Sequence, residues 1–339
     1  MKNEELRMKN TPALCRLRFC CLVTLLLFCF NVKSQNDLVE IKEFGSNPGN
    51  LRMFVYNPDS SKTGHAKLPL VVALHGCTQT AATMADVSGW NELAKRYHFM
   101  VIYPQQRFLN NPSGCFNWFE KSSITKDHGE VFSIKQMVDY ALKTYSLDSA
   151  NIFVYGLSAG AAMGVALITD YPYMFKAGAI LAGGPYPATN DAFDEFSAMS
   201  NPKSIPSKVL ENTVREQNPN YKGNYPSLII FHGEEDDLVN IKNSYLLTKQ
   251  WAGLVHTDTI PTKIDSSFNG NRDFTRKAYC DNQHQSNIIF YEVANLGHAL
   301  PVFPGDSVYQ GGHTGLFSVN KHFFSTYWIA KDFGLIIDK

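Results

Sequence analysis

Two textures alternate along the chain. Seven stretches are apolar and rich in β-branched residues: 51–58 (LRMFVYNP), 68–76 (LPLVVALHG), 99–105 (FMVIYPQ), 151–156 (NIFVYG), 176–184 (KAGAILAGG), 227–233 (SLIIFHG) and 287–298 (NIIFYEVANLGH). Several are apolar at nearly every position, as strands covered on both faces are. Between them, 90–98, 130–146, 159–171 and 242–253 carry apolar residues at helical spacing, and 318–333 reads as a closing helix. This alternation predicts an α/β fold, a mostly parallel central sheet flanked by helices. Two polar, turn-rich stretches interrupt it, 188–225 and 256–286, the second with Asn269-Gly270 as a candidate hairpin turn. Both are expected to be insertions over the sheet of a single domain spanning 35–339.

Residues 1–34 break the pattern. Lys2, Arg7, Lys9, Arg16 and Arg18 precede the apolar run Phe19–Phe30, and small Ser34 follows. This is the layout of a secretory signal cleaved after Ser34, and it predicts an extracellular or periplasmic protein. The run is short of the roughly 20 residues that a membrane span needs, so no stable membrane anchor is expected. The triplet Met-Lys-Asn occurs at both Met1 and Met8, and a start at Met8 gives a signal of more usual length.

Removing that segment changes the charge and the cysteine count. Six of the 31 Lys and Arg leave with two of the 31 Asp and Glu, so the mature chain is mildly acidic. It has no basic patch suited to a phosphate backbone, which excludes nucleic acid as an expected partner. Four of the seven cysteines also leave, and Cys77, Cys115 and Cys280 remain. In an oxidising compartment the simplest allocation is one bridge and one free thiol. No pair of them has metal-ligand spacing.

Chemistry enters at VYGLSAG, residues 154–160. A strand runs into Ser158 and a helical pattern leaves it, so the serine is expected on a tight turn at the carboxyl edge of the sheet. There Gly156 and Gly160 let neighbouring backbone pass close by. A serine hydroxyl is a weak nucleophile and needs a base, which in turn needs an orienting acid. In hydrolases built on this turn the order is serine, acid, histidine, the last two on loops after later strands. SLIIFHGEEDD ends one such strand in four carboxylates, Glu234 to Asp237, among which Asp236 is preferred. NIIFYEVANLGH ends another at His298, after a glycine that frees the backbone. The oxyanion is expected to meet two backbone amides, Ala159 after the nucleophile and Cys77 in the loop after LPLVVAL. His75 and Gly76 are expected to shape that loop rather than react. This chemistry calls for no cofactor and no metal.

At the level of longer strings, LPLVVALHGCTQTA, GWNELAKRYHFMVIYPQQ, GCFNWFE, HGEVFSI, VYGLSAGAAM and AGGPY resemble the polyhydroxybutyrate depolymerase family of secreted esterases. That family includes feruloyl and acetylxylan esterases within the α/β-hydrolase fold. The resemblance is dense from about residue 50 to 190 and sparser beyond. It implies Ser158, Asp236 and His298 as the triad, and a Cys77–Cys115 bridge that leaves Cys280 free. Phe116 departs from the family's usual tryptophan, and a cysteine often found shortly after Pro-Tyr is absent, which places the difference in the substrate pocket. Trp118 is weighed between pocket wall and core, while Phe119 and Tyr186 are expected to pack.

The expectation is therefore a secreted serine carboxylic ester hydrolase that releases feruloyl or acetyl groups from plant polysaccharide or short soluble esters. Depolymerisation of polyhydroxybutyrate or its oligomers is the alternative. A non-catalytic carbohydrate- or partner-binding domain of the same fold is the alternative of another class.

Overall fold

The computed structural model describes residues 38–58, 67–187 and 197–336. The expected signal segment and residues 188–196 of the first insertion lie outside the described residues. Ten strands form the main sheet: β1 Val39–Ile41, β2 Arg52–Tyr56, β3 Leu68–Leu74, β4 Met100–Gln105, β5 Leu147–Leu157, β6 Ala177–Leu181, β7 Ser227–Gly233, β8 Lys263–Asp265, β9 Phe274–Cys280 and β10 Ser286–Val293. Their spatial order is β1-β2-β4-β3-β5-β6-β7-β10-β9-β8. The six strands from β4 to β10 in that order are mutually parallel, and antiparallel pairs close both edges.

Strand side chains point alternately to the two faces, and each face has its own core. Along β3, Leu70, Val72 and Leu74 join one cluster, while Val71 and Ala73 join the other. The helices that cover these faces are α1 Ala81–Ser88, α2 Trp90–Tyr97, α3 Lys121–Ile124, α4 Gly129–Thr144, α5 Ala159–Asp170, α6 Ser207–Arg215, α7 Lys242–Ala252 and α8 Ser325–Asp332. All twelve residues of α5 are buried, which explains its composition of Ala, Gly and aliphatic side chains. Apolar periodicity does not announce α1, because its buried face is built from small residues such as Ala81, Ala85 and Ser88. Its start is set instead by Thr80, whose hydroxyl accepts the Thr83 amide at 3.1 Å. Among the described residues no helix is long and apolar enough to cross a membrane.

Two expectations need correction. Residues 256–286 do not lie over the sheet but extend it, since β8 and β9 pair with each other and β9 pairs with β10. Asn269 and Gly270 do sit at the tip of that hairpin with φ of 54° and 74°, within a longer connection than a two-residue turn. The closing helix is also shorter than 318–333. Ser318–Asn320 forms β12 beside β11 (Leu300–Val302), and left-handed backbone at Phe317 and His322 breaks any helix before Ser325. Of the first insertion, the described part contains α6.

Topology already places the chemistry. Parallel strands send every carboxyl end to one edge, and the chain switches sides at β3, with β4 on one flank and β5 on the other. The loops after β3 and β5 are neighbours there, as are the loops after β7 and β10.

Candidate active site

Ser158 stands between β5 and α5 with φ 57° and ψ −121°, a backbone state that costs a non-glycine residue about 1–3 kcal/mol. The surroundings hold it there. Its amide donates to Leu181 O at 2.9 Å, and its carbonyl accepts from Ala162 N at 3.0 Å. A Cβ on Gly156 would stand 2.3 Å from Gly160 O, and one on Gly160 would stand 2.5 Å from both Leu74 O and His75 O. Both glycines are therefore required by the turn.

Asp236 and His298 come from adjacent loops. His298 Nδ1 lies 2.8 Å from Asp236 Oδ2, with the carboxylate fully buried. Asp236 Oδ1 accepts the amides of Leu238 and Val239 at 3.0 and 2.8 Å. Burial pulls the Asp236 carboxyl upward, but hydrogen bonds from His232, His298 and Val239 outweigh it and hold the group far below the usual carboxylate range. Glu234, Glu235 and Asp237 are exposed, so of the four carboxylates Asp236 alone is on the imidazole. Because Asp236 takes the proton of Nδ1, Nε2 is the nitrogen left to act as base. Glu234 N to Val293 O (2.9 Å) and Glu235 N to Leu296 O (3.0 Å) tie the two loops together. The close approach there needs Gly233, where a Cβ would meet Leu296 O at 2.1 Å. A Cβ on Gly297 would have only Glu235 O at 3.7 Å, so Gly297 is not the residue that frees this backbone.

The loop after β3 lies against the serine, since a Cβ on Gly76 would be 3.6 Å from Ser158 Cβ. Three of its amides are committed: Gly76 N to Gln79 Oε1 (2.9 Å), Thr78 N to Ser113 O (2.8 Å) and Gln79 N to Gly76 O (3.3 Å). Among the described residues the Cys77 amide has no acceptor, and Ala159 N is one of the open amides at the start of α5. His75 is fully buried and does shape the turn. Its Nδ1–H donates to Gly76 O at 2.8 Å and its Nε2 accepts from Gln106 N at 3.1 Å, and burial pushes the ring down to about 4. Gln79 Nε2 donates to Leu316 O at 2.9 Å, and neighbouring Phe317 stands edge-on to the His298 ring at 5.4 Å.

Cys77 and Cys115 are bridged, with Cα atoms 4.1 Å apart and 38 residues of separation. A loop of that length corresponds to about 4 kcal/mol in the chain-entropy description. Cys280 is free. Phe116 is fully buried against His75, with ring centroids 4.8 Å apart. Trp118 is also buried, yet it lines a cavity of about 130 Å³ with Ala162, Pro185, Met199, Ile205 and Leu246. That cavity does not include Ser158 or His298, and Ala162 on its wall lies one turn along α5 from Ser158. Tyr186 packs, its hydroxyl donating to Ile124 O at 3.3 Å, and Phe119 stands edge-on to Trp118.

Two supporting residues escaped the sequence reading. Glu130 is buried and accepts from Gln106 Nε2 (2.6 Å), Asn117 N (2.8 Å) and Asn117 Nδ2 (2.7 Å), which anchors the loop after Cys115. Burial pushes its carboxyl up to about 7 against those bonds. The signal was a glutamate at a core-facing position of α4. His232, fully buried, touches Asp236 from the strand side at 3.3 Å, and its cue was a histidine four residues before the acid. Among the described residues no group of three His, Cys, Asp or Glu side chains is placed to hold a metal ion.

Known proteins share this arrangement of chain. The family model described as esterase PHB depolymerase matches residues 52–261. Poly(3-hydroxyalkanoate) depolymerase C of Paucimonas lemoignei is 37% identical over 88% of this chain and 70% of its own. Feruloyl esterase B of Talaromyces funiculosus is 28% identical over 83% of this chain and 78% of its own. Among solved structures, an acetyl xylan esterase from Aspergillus awamori superposes with a TM-score of 0.69 at 25% identity, over 78% of this chain and 94% of that one. The fold is that of the α/β-hydrolase esterases, and on the family match and the 37% relative the chain belongs to the esterase PHB depolymerase family, among the carboxylic ester hydrolases.

Proposed function

We propose that the protein is a secreted serine esterase that acts through Ser158, His298 and Asp236 on acetyl or feruloyl esters of plant polysaccharide, or on short soluble esters of that kind. The observation that carries the reading is the 2.8 Å contact of His298 with buried Asp236 on the edge where Ser158 occupies its strained turn. His298 Nε2 takes the Ser158 proton as Oγ attacks the ester carbonyl, and the negative oxygen forms against the amides of Ala159 and Cys77. The imidazolium then gives its proton to the leaving alcohol oxygen. Water repeats the sequence on the acyl-enzyme and frees the acid. Each amide donor is worth about 10² to 10³ in turnover. Trp118 is assigned to the wall of the pocket on the α5 side of the serine. The basic and apolar run of residues 2–30 and the disulfide beside the site support export to an oxidising compartment.

A second reading has its own observation. The 37% identity with a polyhydroxyalkanoate depolymerase supports hydrolysis of hydroxybutyrate oligomers. The two are separated by measuring acid release from acetylated xylan oligosaccharide, methyl ferulate and hydroxybutyrate trimer, with Ser158→Ala alongside. Acetate or ferulate release that falls by about 10⁵- to 10⁶-fold in the variant is expected. Release from the trimer alone establishes the second reading, and release that persists in Ser158→Ala removes the serine mechanism.

A further inference from the structure

His232 closes β7 with a side chain that ester hydrolysis by a serine, a histidine and an aspartate does not call for. The ring is wholly buried, and all of its polar atoms are engaged. Nε2 lies 2.7 Å from Val239 O and 3.3 Å from Asp236 Oδ2, while Nδ1 lies 2.6 Å from Ser244 Oγ in the first turn of α7. A carbonyl oxygen only accepts, so Nε2 carries a proton, and in the neutral ring Nδ1 accepts from the Ser244 hydroxyl. That Nε2–H is therefore directed to Val239 O, with Asp236 Oδ2 at 3.3 Å from the same nitrogen. Oδ2 is the same oxygen that accepts from His298 Nδ1. One carboxylate oxygen faces two imidazoles, hydrogen-bonded to the one from the loop in front and 3.3 Å from the one on the strand behind.

The other charges near this ring are accounted for. Glu292 stands in register with His232 on β10, and its Oε1 is taken by Lys277 Nζ at 2.5 Å and by the Tyr245 hydroxyl. Glu234, Glu235 and Asp237 on the same loop and Lys242 on α7 are exposed. Among the described residues, Asp236 is the only carboxylate that meets His232.

We propose that His232 is a positioning residue that fixes the Asp236 carboxylate and, through an Nε2–H held 3.3 Å from the oxygen that His298 also meets, sets how strongly Asp236 holds the charged form of His298. The inference rests on the reading of Ser158, His298 and Asp236 as a triad. Donors to one anionic oxygen compete for its charge. Withdrawing the rear donor leaves more of that charge to His298, so the imidazolium becomes harder to deprotonate and the base is lost at a higher pH. Withdrawing it also frees the carboxylate to rotate, and small displacements in such a relay are costly in turnover. A ring that merely filled space would do neither.

The test is the pH profile of the full-length enzyme on p-nitrophenyl acetate, with kcat and KM measured separately and thermal midpoints recorded for each variant. His232→Phe is expected to lower kcat about 10- to 100-fold with little change in KM. It is also expected to move the acidic limb of the kcat/KM profile to higher pH by roughly several tenths of a unit. His232→Gln, whose amide can donate where Nε2–H does, is expected to restore most of kcat and to return the limb. A limb that stays in place in His232→Phe, or a Gln variant no better than Phe, overturns the proposal. Should His232→Phe not fold, His232→Met fills the site without a donor and carries the same expectation. A limb unmoved in that variant overturns the proposal equally. Ser158→Ala separates the two levels: activity that survives it removes the triad and this proposal together, whereas an inactive Ser158→Ala with parental His232 variants removes only this one.

Discussion

Asp170 ends α5 with a carboxyl group that is fully buried, and among the described residues neither oxygen has a hydrogen-bond donor. The end of a helix is also the wrong place for a negative charge. Burial pushes the group up to about 8, with Lys126 opposing weakly, so near neutrality it is an acid rather than an anion. Glu130, raised to about 7, acts with the same sign. A carboxyl raised in the folded state keeps its proton where the unfolded chain has lost it. The stability it contributes is complete below the unfolded value near 4 and is lost as pH rises through the folded value. Each pH unit in that window removes up to ~1.4 kcal/mol per group. Urea midpoints at pH 5, 6, 7 and 8 are expected to fall for the parent and less steeply for Asp170→Asn, with the variant gaining relative to the parent from pH 5 up to about pH 8. Parallel curves would show that Asp170 does not hold its proton in the fold.

At the scale of elements, the strand–turn–helix around Ser158 depends on absence of side-chain bulk. Gly156→Ala puts a methyl 2.3 Å from Gly160 O, a backbone atom that no rotamer change can move aside. Its expected cost is about 3 kcal/mol or more, read as a drop in the calorimetric midpoint together with loss of hydrolysis. Gly297→Ala, beside His298, meets only an ordinary 3.7 Å contact and is expected to stay within about 0.5 kcal/mol of the parent. Equal effects at the two sites would contradict the account of the turn. The same elements show what a sequence makes legible. Strands apolar on both faces and the Gly-x-Ser-x-Gly turn are local signals, so β3, β5, β7 and Ser158 could be read directly. β8 and β9 could not, because their polar, half-exposed sequence pairs only once β10 is in place. Nor could α1, whose small side chains carry little periodicity. His232 and Glu130 were hidden for a different reason. Their roles are set by partners at Ser244, Gln106 and Asn117, contacts that depend on packing between elements rather than on any local pattern.

On the scale of the whole molecule, six parallel strands bring four loops to one edge. Ser158 follows β5, the Gly76–Gln79 turn follows β3, Asp236 follows β7 and His298 follows β10. Each pair of strands is adjacent in the sheet, with β6 between the pairs, so residues far apart along the chain emerge at one edge. The disulfide, Gln79 and the buried Glu130 network tie down the turn after β3 and the loop after Cys115. All of this is organised around one claim, that Ser158 Oγ is an activated nucleophile. The most direct measurement is intact-mass and peptide analysis after treatment with a fluorophosphonate. The account predicts one adduct per chain, on the peptide that contains Ser158, abolished in Ser158→Ala and in unfolded protein. An enzyme that hydrolyses esters while Ser158 stays unmodified, or that carries its adduct on another residue, would contradict it.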